Sequence, residues 1–441
     1  MRKTELSTAL RQYVRENLSP RPEERELVSK LYISFQDLLG KSNCFQIGSY
    51  PRFTAITPLH DLDILYVVGN WTYSVPDPAD ILRKLQERIK KEYKNPTKYE
   101  LVVELQTHSI TVTYLDNKKE IFSIDIIPAY ARDKNEFEDD KYMVPEIISE
   151  GHSKRKRIYE EISKGIYHMN WIKSDPKGYI ELARRTDAIN NDFRKAVKFI
   201  KGWRSACKRY DENFKLKSFH IEQIVFNYFS QSPSIEVFDA IFYFFCDLPI
   251  YLEEAQISDR ADNTRKVDEY IDQLTYEEKQ SIIQARDYFL IKFENLIGVS
   301  NIADLLQVGF HKRASVTEEY LFDSRIPVLL QNEERLKIQG RILPRAGGFR
   351  ERILDVLGLI EVDRKIEFRI VGDRPQADVF KWKVKNDDSS KQPRGEIVDN
   401  STLNDPENTK FKGKHYVECY AIRNGVCIAR ARQNVVLDSV F

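Results

Sequence analysis

The most constraining feature of this chain is the stretch CFQIGSYPRFTAITPLHDLDILYVV at residues 44–68, which begins and ends like a buried strand. Between the two apolar runs lies Gly48-Ser49, and Asp61 and Asp63 follow at the mouth of the second strand. Side chains alternate along a strand, so the two carboxylates point to the same face. They repel each other there unless a cation lies between them, and hard oxygen ligands suit Mg²⁺.

A third carboxylate, Asp125, lies in the later apolar run FSIDIIPAY. A lone charge in mid-strand is costly, so we expect Asp125 to have a partner. Three carboxylates would complete a two-metal clamp of the kind used for phosphoryl or nucleotidyl transfer. Gly48-Ser49 is expected to end a strand and open a helix, where backbone N–H groups and the Ser hydroxyl hold a triphosphate tail.

The D-x-D motif alone is weak evidence, because such pairs arise by chance in an acidic chain. A mid-strand Asp can also be a satisfied structural residue. The order of the whole pattern is more specific: a strand, Gly48-Ser49, the D-x-D strand, and then Asp125 in a later apolar strand. This order favours a catalytic site over a structural role.

The secondary structure that the sequence predicts changes in kind twice along the chain. Strand-like and helical segments alternate as far as about residue 170, helical spacing dominates from 171 to 340, and short strand-like runs follow a Gly347-Gly348 break. We therefore predict three domains, which cover residues 1–170, 171–340 and 345–441. The last is a small β-rich domain.

Composition excludes several classes of protein. The chain has 441 residues, 41% of them hydrophobic, and a formal net charge of +1, so nothing global calls for nucleic acid or an anionic membrane. No apolar run is long enough to span a membrane, and we expect a cytoplasmic protein with no membrane partner. A hairpin turn at Asn424-Gly425 would pair Ile422 with Cys427 and Cys419 with Arg430, on opposite faces, which predicts free thiols.

The residues GSYPRFTAITPLHDLDIL, followed by SIDIIPAY, resemble the polymerase-β-like nucleotidyltransferases. They are most similar to the CD-NTases, the branch that holds cyclic GMP-AMP synthase and oligoadenylate synthase. The family pattern is Gly-Ser, a turn rich in Arg, Gly and Thr, and then D-x-D. Arg52 and Thr54 fit that turn, whereas Phe53 stands where many members have Gly. The resemblance covers about residues 1–330.

This resemblance implies an α+β fold, with a bilobal polymerase-β-like nucleotidyltransferase core, a helical lobe and a small β-rich C-terminal domain. It implies two Mg²⁺ (or Mn²⁺) ions. Asp61 and Asp63 would bind both, and Asp125 would bind the ion that activates the attacking hydroxyl. Gly48 and Ser49 would bind the nucleotide.

Two further residues are implied as triphosphate contacts, Lys201 in FIKGWR and Ser218 in KLKSFHIEQIV. From the residues alone, Lys201 lies on one edge of a helix with Arg204 and Lys208, and for the latter two we favour a solvated basic edge. Ser218 is also a plausible N-cap for a helix over 219–229, and the two roles are compatible.

Near the C-terminus, the runs WKVKN, PRGEI and FKGKHYVECYAIRNGVCIAR resemble the adenylyl/guanylyl and SMODS C-terminal sensor domain. That resemblance implies a nucleotide-like ligand. Aromatic and guanidinium groups could stack on a base or hold a phosphate, and the candidates are Trp382, Arg394, His415, Tyr416 and Tyr420. For Trp382 and Tyr420 a place in the core is the favoured alternative.

The resemblance implies an enzyme that joins NTPs, ATP or GTP among them, into a cyclic or short linear oligonucleotide. The product would be a second messenger for a separate effector protein in bacterial anti-phage signalling. One alternative is a template-independent RNA 3′-end nucleotidyltransferase, which needs a basic groove that the near-neutral charge does not favour. Another is a catalytically silent nucleotide sensor, against which the three intact carboxylates argue.

Overall fold

The computed structural model describes residues 2–146, 170–296, 299–331, 334–345, 351–354, 360–399 and 406–438. The chain divides into two compact units, each of which is discontinuous. The larger unit comprises Ser7–Ile241 and Pro249–Ile282, and the C-terminal unit comprises Met1–Leu6, Phe242–Leu248 and Ile283–Phe441. The Gly347-Gly348 break lies outside the described residues.

Two helices open the chain, α1 (Arg2–Tyr13) and α2 (Pro22–Leu39). Helix α1 runs into a short π-helical turn, Val14–Leu18, and the helical path ends at Ser19. Pro22 fits the first turn of α2, where a backbone N–H is not needed. The apolar residues of α2 recur at helical spacing, and its buried face consists of Val28, Leu31, Phe35 and Leu39.

The larger unit contains one seven-stranded sheet with the order β1-β2-β5-β4-β3, and β6 and β7 extend it beside β5. Its strands are β1 (Cys44–Ile47), β2 (Asp61–Asn70), β3 (Glu100–Leu105), β4 (Ile110–Asp116), β5 (Lys119–Lys134), β6 (Asp140–Glu146) and β7 (Asn170–Ser174). As the sequence pattern predicts, Asp61 and Asp63 lie at the start of one strand, β2, and Asp125 lies in the middle of a later strand, β5. The pair β2–β5 is parallel and the other pairs are antiparallel.

Helix α3 (Pro78–Glu92) begins where Asp77 accepts a hydrogen bond from the backbone N–H of Ala79 at 2.8 Å. It packs on the sheet with α2 around one apolar core. The later helices are α4 (Pro176–Ile189), α5 (Asp192–Tyr210), α6 (Ser218–Gln231), α7 (Val237–Tyr251) and α8 (Tyr276–Glu294). Short 3₁₀ turns occupy Lys41–Asn43, Glu269–Gln273, Val299–Leu306 and Leu321–Ser324.

The C-terminal unit contains two sheets with the orders β10-β16-β15-β12-β13 and β14-β11-β8-β9. Their strands are β8 (Ile338–Ile342), β9 (Arg352–Ile353), β10 (Ile360–Glu361), β11 (Lys365–Ile370), β12 (Val379–Lys385), β13 (Ile397–Asp399), β14 (Glu407–Asn408), β15 (Gly413–Arg423) and β16 (Val426–Asp438). Apolar residues from both sheets share one core that includes Phe368 and Trp382. The unit is thus a sandwich, and Trp382 lies in its core.

The hairpin between β15 and β16 turns at Asn424-Gly425 as predicted, with positive φ at both residues. Ile422 pairs with Cys427 as expected, but Cys419 faces Ala431 and not Arg430. The register prediction was wrong there because an irregularity between Ala421 and Ile422 shifts the pairing by one residue. All five cysteines are free and buried, which confirms the predicted free thiols.

The mixture of helices and sheets, with a β-rich C-terminal part, confirms the predicted α+β class. Among the described residues, every helix is too short or too polar to cross a membrane.

Candidate active site

The candidate site is built around the turn Gly48–Phe53, which connects β1 to the chain leading into β2. The expectation of a helix after Gly48-Ser49 was wrong. The backbone N–H of Thr54 donates to Ser49 O at 3.0 Å, and the N–H of Phe53 donates to Tyr50 O at 2.9 Å, which closes a turn. Backbone N–H groups in a turn can still point toward an anion, as in other phosphate-binding loops.

Gly48 is required at the start of this turn for two reasons. Its φ of +75° favours glycine, and a Cβ at this position would lie 1.9 Å from Asp63 Oδ2. The backbone at Gly48 therefore approaches Asp63, one of the predicted catalytic carboxylates, too closely for a residue with a Cβ.

Phe53 also has a positive φ, of 58°, although it is a bulky residue for which that conformation is strained. Its side chain is 64% exposed, and the Arg194 guanidinium lies 4.8 Å from the ring centroid. The sequence signal for this geometry was the presence of Phe53 where many CD-NTases have Gly. The turn thus keeps a glycine-like backbone with an aromatic side chain.

The three predicted carboxylates are brought to adjoining positions on two paired strands. Asp61 and Asp63 lie on β2, and Asp63 is the register partner of Asp125 on the parallel strand β5. Register partners present their side chains to the same face of a sheet, so the three carboxylates share one face.

Asp125 is held from its other side by β4. Its Oδ1 accepts hydrogen bonds from the hydroxyl groups of Thr111 and of Ser109, the latter at 3.3 Å. The expected partner of this mid-strand carboxylate is therefore a pair of hydroxyls, which fix its orientation beside Asp63.

The electrostatics of the site favour a cation. Loss of surrounding water, then the nearby Asp61 and Asp125, raise the pKa of Asp63 to about 7. The pKa of Asp61 is also raised, first by loss of water and then by Asp125, against the opposing charge of Lys201. Negative charge is thus concentrated beyond what nearby cations neutralise. In the part of the chain that the structure describes, however, no three His, Cys, Asp or Glu side chains converge closely enough to hold a metal.

Lys201 lies in α5 and is only 4% exposed. Its Nζ donates to Glu222 Oε1 at 2.5 Å, to Thr54 O at 3.1 Å and to Thr54 Oγ1 at 3.4 Å. Its triphosphate role stays a prediction, and the three donors of the ammonium group face protein acceptors in this structure.

Glu222, in α6, is the functional candidate that sequence reasoning missed. It is 2% exposed and accepts from Lys201 and from Arg52, whose Nε lies 2.8 Å from Oε2 and whose Nη2 lies 3.2 Å from Oε1. Burial alone would raise its pKa, but Arg52 and then Lys201 lower that pKa to about 2. This Arg52–Glu222–Lys201 network ties the Gly48–Phe53 turn to α5 and α6.

A sequence signal for Glu222 existed in the run SFHIEQIVF, where an acidic residue interrupts an apolar helix face. A buried carboxylate needs cationic partners. Arg52 and Lys201 were already candidates for the site, so the pairing could have been proposed.

Ser218 is the first residue of α6, and Lys217 occupies the cap position without a side-chain cap. The expectation that Ser218 is the N-cap was therefore wrong by one residue, while its nucleotide role stays a prediction. Arg204 is half-buried and not a solvated edge residue, since its Nε donates to Leu216 O at 2.6 Å. Lys208 is exposed, as expected.

Comparison with known proteins shows that the C-terminal part of the chain is similar to a described family. Residues 315–438 match the family model of the adenylyl/guanylyl and SMODS C-terminal sensor domain. The chain is also 26% identical, over 237 residues, to a protein of Bacillus cereus (strain VD146) named "Probable cyclic nucleotide synthase". That match covers 48% of this chain and 61% of the length of the relative.

Comparison with solved structures gives two matches to CdnC from Escherichia coli MS115-1. The complex of CdnC with HORMA-deltaN has a TM-score of 0.49 and 17% identity, and covers 68% of this chain and 95% of that one. The CdnC structure with ATP has a TM-score of 0.48 and 16% identity, with coverage of 68% and 96%. The family model and the curated relative confirm the resemblance to SMODS-type CD-NTases with a C-terminal sensor domain.

Proposed function

We propose that this chain is a metal-dependent nucleotidyltransferase that makes a cyclic or short linear oligonucleotide from NTPs. The observation that carries this proposal is the pairing of Asp63 with Asp125 on parallel strands, with Asp61 two residues earlier on the same face. The Gly48–Phe53 turn lies against this group, because Gly48 leaves no room for a Cβ beside Asp63. The curated relative, named as a cyclic nucleotide synthase, supports the same reaction class.

The donor set fits divalent metal ions. Asp61, Asp63 and Asp125 offer hard carboxylate oxygens, and the pKa of Asp63 is raised by burial first and then by the charges of Asp61 and Asp125, both of which a bound cation would offset. We propose that these three residues hold two Mg²⁺ or Mn²⁺ ions, which would stabilise the charge on the transferring phosphoryl group. The side chains would have to draw together around the ions, because they adjoin without converging.

The triphosphate would lie at the Gly48–Phe53 turn, with Ser49 and Ser218 as hydroxyl donors. Lys201 would join them only by releasing an acceptor, because Glu222 and Thr54 engage all three of its donors. Through Glu222 and Arg52, the same lysine would hold the turn in position even without touching the phosphates.

We further propose ATP or GTP as substrates and a product that acts as a second messenger in anti-phage defence, read by a separate effector protein. The C-terminal sensor domain would bind a nucleotide-like ligand that controls synthesis. These roles are proposed for this chain on the basis of its resemblance to the CD-NTases and to the sensor domain.

The purified chain should be incubated with four labelled NTPs and Mg²⁺ or Mn²⁺, and the products resolved by chromatography. We expect Asp61→Ala, Asp63→Ala and Asp125→Asn each to abolish product, because each removes a ligand from the proposed clamp. Asp116→Asn, at the exposed end of β4, is the matched control and should retain activity.

Near wild-type turnover in any of the three variants would remove that residue from the proposed site. Extension of an added RNA 3′ end without free oligonucleotide products would identify a tailing enzyme instead. NTP binding without turnover under either metal would identify a silent sensor.

A further inference from the structure

Phe53 adopts a backbone conformation that its own side chain does not favour. Its φ of 58° lies in the left-handed region, which a bulky residue keeps only where the surrounding structure restrains it. Packing of the ring does not supply that restraint, because the side chain is 64% exposed. The conformation of Phe53 therefore depends on the polar contacts of the Gly48–Phe53 turn.

The peptide group between Arg52 and Phe53 is fixed at both of its polar atoms. The N–H of Phe53 donates to Tyr50 O at 2.9 Å. The carbonyl O of Arg52 accepts from Arg194 Nε at 3.0 Å. The φ of Phe53 is the torsion about the N–Cα bond that follows this planar group. Fixing the plane therefore limits the rotation by which Phe53 would leave its left-handed conformation.

Arg194 belongs to α5 and reaches the turn in a fixed orientation. Its Nη1 donates to Asp187 Oδ2 of α4 at 2.7 Å, and both side chains are largely buried. The guanidinium group also lies 4.8 Å from the centroid of the Phe53 ring, which is a cation–π distance. One side chain thus contacts the strained residue, the peptide group before it and an anchoring carboxylate.

The same helix contacts the turn on the other side of Phe53. Lys201, about two helical turns further along α5, donates to Thr54 O at 3.1 Å. Helix α5 therefore binds the carbonyl groups of the residues immediately before and immediately after Phe53. The contact of Arg194 with the backbone is separate from the Arg52–Glu222–Lys201 network, which involves the side chain of Arg52.

From these contacts we infer that Arg194 is a positioning residue for the proposed nucleotidyl transfer. It keeps Phe53 in the left-handed conformation, and so keeps the turn in the shape that lies against Asp63. The effect on catalysis rests on the proposed function, whereas the effect on the turn can be measured without substrate. Glycine adopts positive φ without the steric cost of a Cβ, so Phe53→Gly should make the turn less dependent on Arg194.

The test introduces Arg194→Ala into the unmodified chain and into the Phe53→Gly and Phe53→Leu variants, and measures kcat/KM for NTPs. In the unmodified chain we expect a loss of about tenfold, because a charge-assisted hydrogen bond to the turn is removed. In the Phe53→Gly background the loss should be about threefold or less, because the backbone strain is relieved. Phe53→Leu controls for the ring contact, since it removes the aromatic ring and keeps the Cβ, and there the loss should stay at about tenfold.

Hydrogen exchange of the peptide that covers residues 48–56 gives a second readout, without nucleotide or metal. Arg194→Ala should speed exchange of the Phe53 and Thr54 amides, which close the turn, and should do so least in the Phe53→Gly background. Asp187→Asn should act in the same direction but less, and it gives a result even if Arg194→Ala does not fold. Arg209→Ala, at an exposed position of α5, is the matched control and should change neither readout.

Equal effects of Arg194→Ala in the Phe53→Gly and Phe53→Leu backgrounds would overturn the inference, because relief of backbone strain would then not matter. It would also be overturned if exchange followed the expected pattern while kcat/KM did not, since Arg194 would then fix the turn without contributing to transfer. If the unmodified chain makes no product but the exchange pattern appears, the proposed function fails and the restraint of the turn by Arg194 is supported.

Discussion

Each unit contains an enclosed carboxylate, and the surroundings shift the pKa values of these two carboxylates in opposite directions. In the larger unit, Glu222 lies between Arg52 and Lys201, which lower its pKa to about 2. In the C-terminal unit, burial raises the pKa of Glu294 to about 8, against the weaker opposing effects of Arg430 and Lys383. Glu294 Oε1 is enclosed without a hydrogen-bond partner among the described residues.

The difference between the two pKa values shows that the partners of an enclosed carboxylate decide whether it stays ionised. Direct contact with two cations keeps Glu222 ionised, and its charge in turn fixes two basic side chains beside the candidate site. Cations that act only at a distance leave Glu294 protonated near neutral pH. The first carboxylate organises a site, whereas the second makes the stability of its unit decrease as pH rises toward about 8.

The largest expected effect comes from Glu222→Gln, which leaves Arg52 and Lys201 buried without their counter-charge. We expect the free energy of unfolding to fall by about 3–5 kcal/mol, as is usual when one partner of a buried ion pair is removed. Urea denaturation, together with hydrogen exchange at α5 and α6, measures this. Glu277→Gln, at an exposed position in α8, is the control and should change stability by about 0.5 kcal/mol or less. Equal behaviour of the two variants would contradict the organising role of Glu222.

The next effect concerns pH. Because the pKa of Glu294 is raised from 4.5 to about 8, its contribution to stability is fully present below about pH 4.5 and is lost as pH rises through about 8. The contribution of Glu222 has the opposite sign, since it is present above about pH 4.5 and lost as pH falls through about 2. We therefore expect protection of the β15 and β16 amides to decrease between about pH 5 and pH 8.

Hydrogen exchange resolved by strand is the appropriate measurement, because Asp63 in the larger unit also has a raised pKa, of about 7. A melting temperature for the whole chain would combine both effects. Protection at β15 and β16 that rises or stays constant over this range, after correction for intrinsic exchange, would show that Glu294 does not control the unit.

The smallest effect is expected from Glu294→Gln, which keeps the shape of the side chain and removes its ionisation. At about pH 5 we expect a change in stability of about 1 kcal/mol or less, because the group is protonated there in either form. The decrease in β15 and β16 protection toward pH 8 should become shallower. If the decrease stays as steep as in the unmodified chain, another group is responsible for it.

Much of the candidate site followed from local patterns. Strand alternation placed Asp61 and Asp63 on one face, and the cost of a mid-strand charge indicated that Asp125 needs partners. The register that sets Asp63 beside Asp125 could not be read from the sequence, because α3 and the β3–β4 hairpin separate the two strands and their lengths do not fix a parallel register. The hydroxyl partners of Asp125 depend on a different register, the antiparallel one in which Thr111 of β4 pairs with Asp125 of β5.

Features that depend on distant contacts were harder to predict. The sequence of the Gly48–Phe53 segment resembles the start of a helix. Hydrogen bonds within the segment close a turn instead, and no helix follows it. The register predicted for Cys419 was wrong because no residue near Ala421 indicates an irregularity in the strand pairing. Glu222 was missed because its partners lie in two other elements, although its apolar surroundings in α6 were a usable signal.

The Arg52–Glu222–Lys201 network also bears on the order in which the protein is assembled during synthesis. Arg52 and Glu222 are 170 residues apart, so a growing chain that already contains the three aspartates of the proposed site still lacks the carboxylate that fixes the turn. Domains generally fold from the N-terminus during translation. We expect nascent chains to leave the turn without a fixed conformation until α6 has left the ribosome, so that the proposed nucleotide chemistry waits until most of the larger unit has been made.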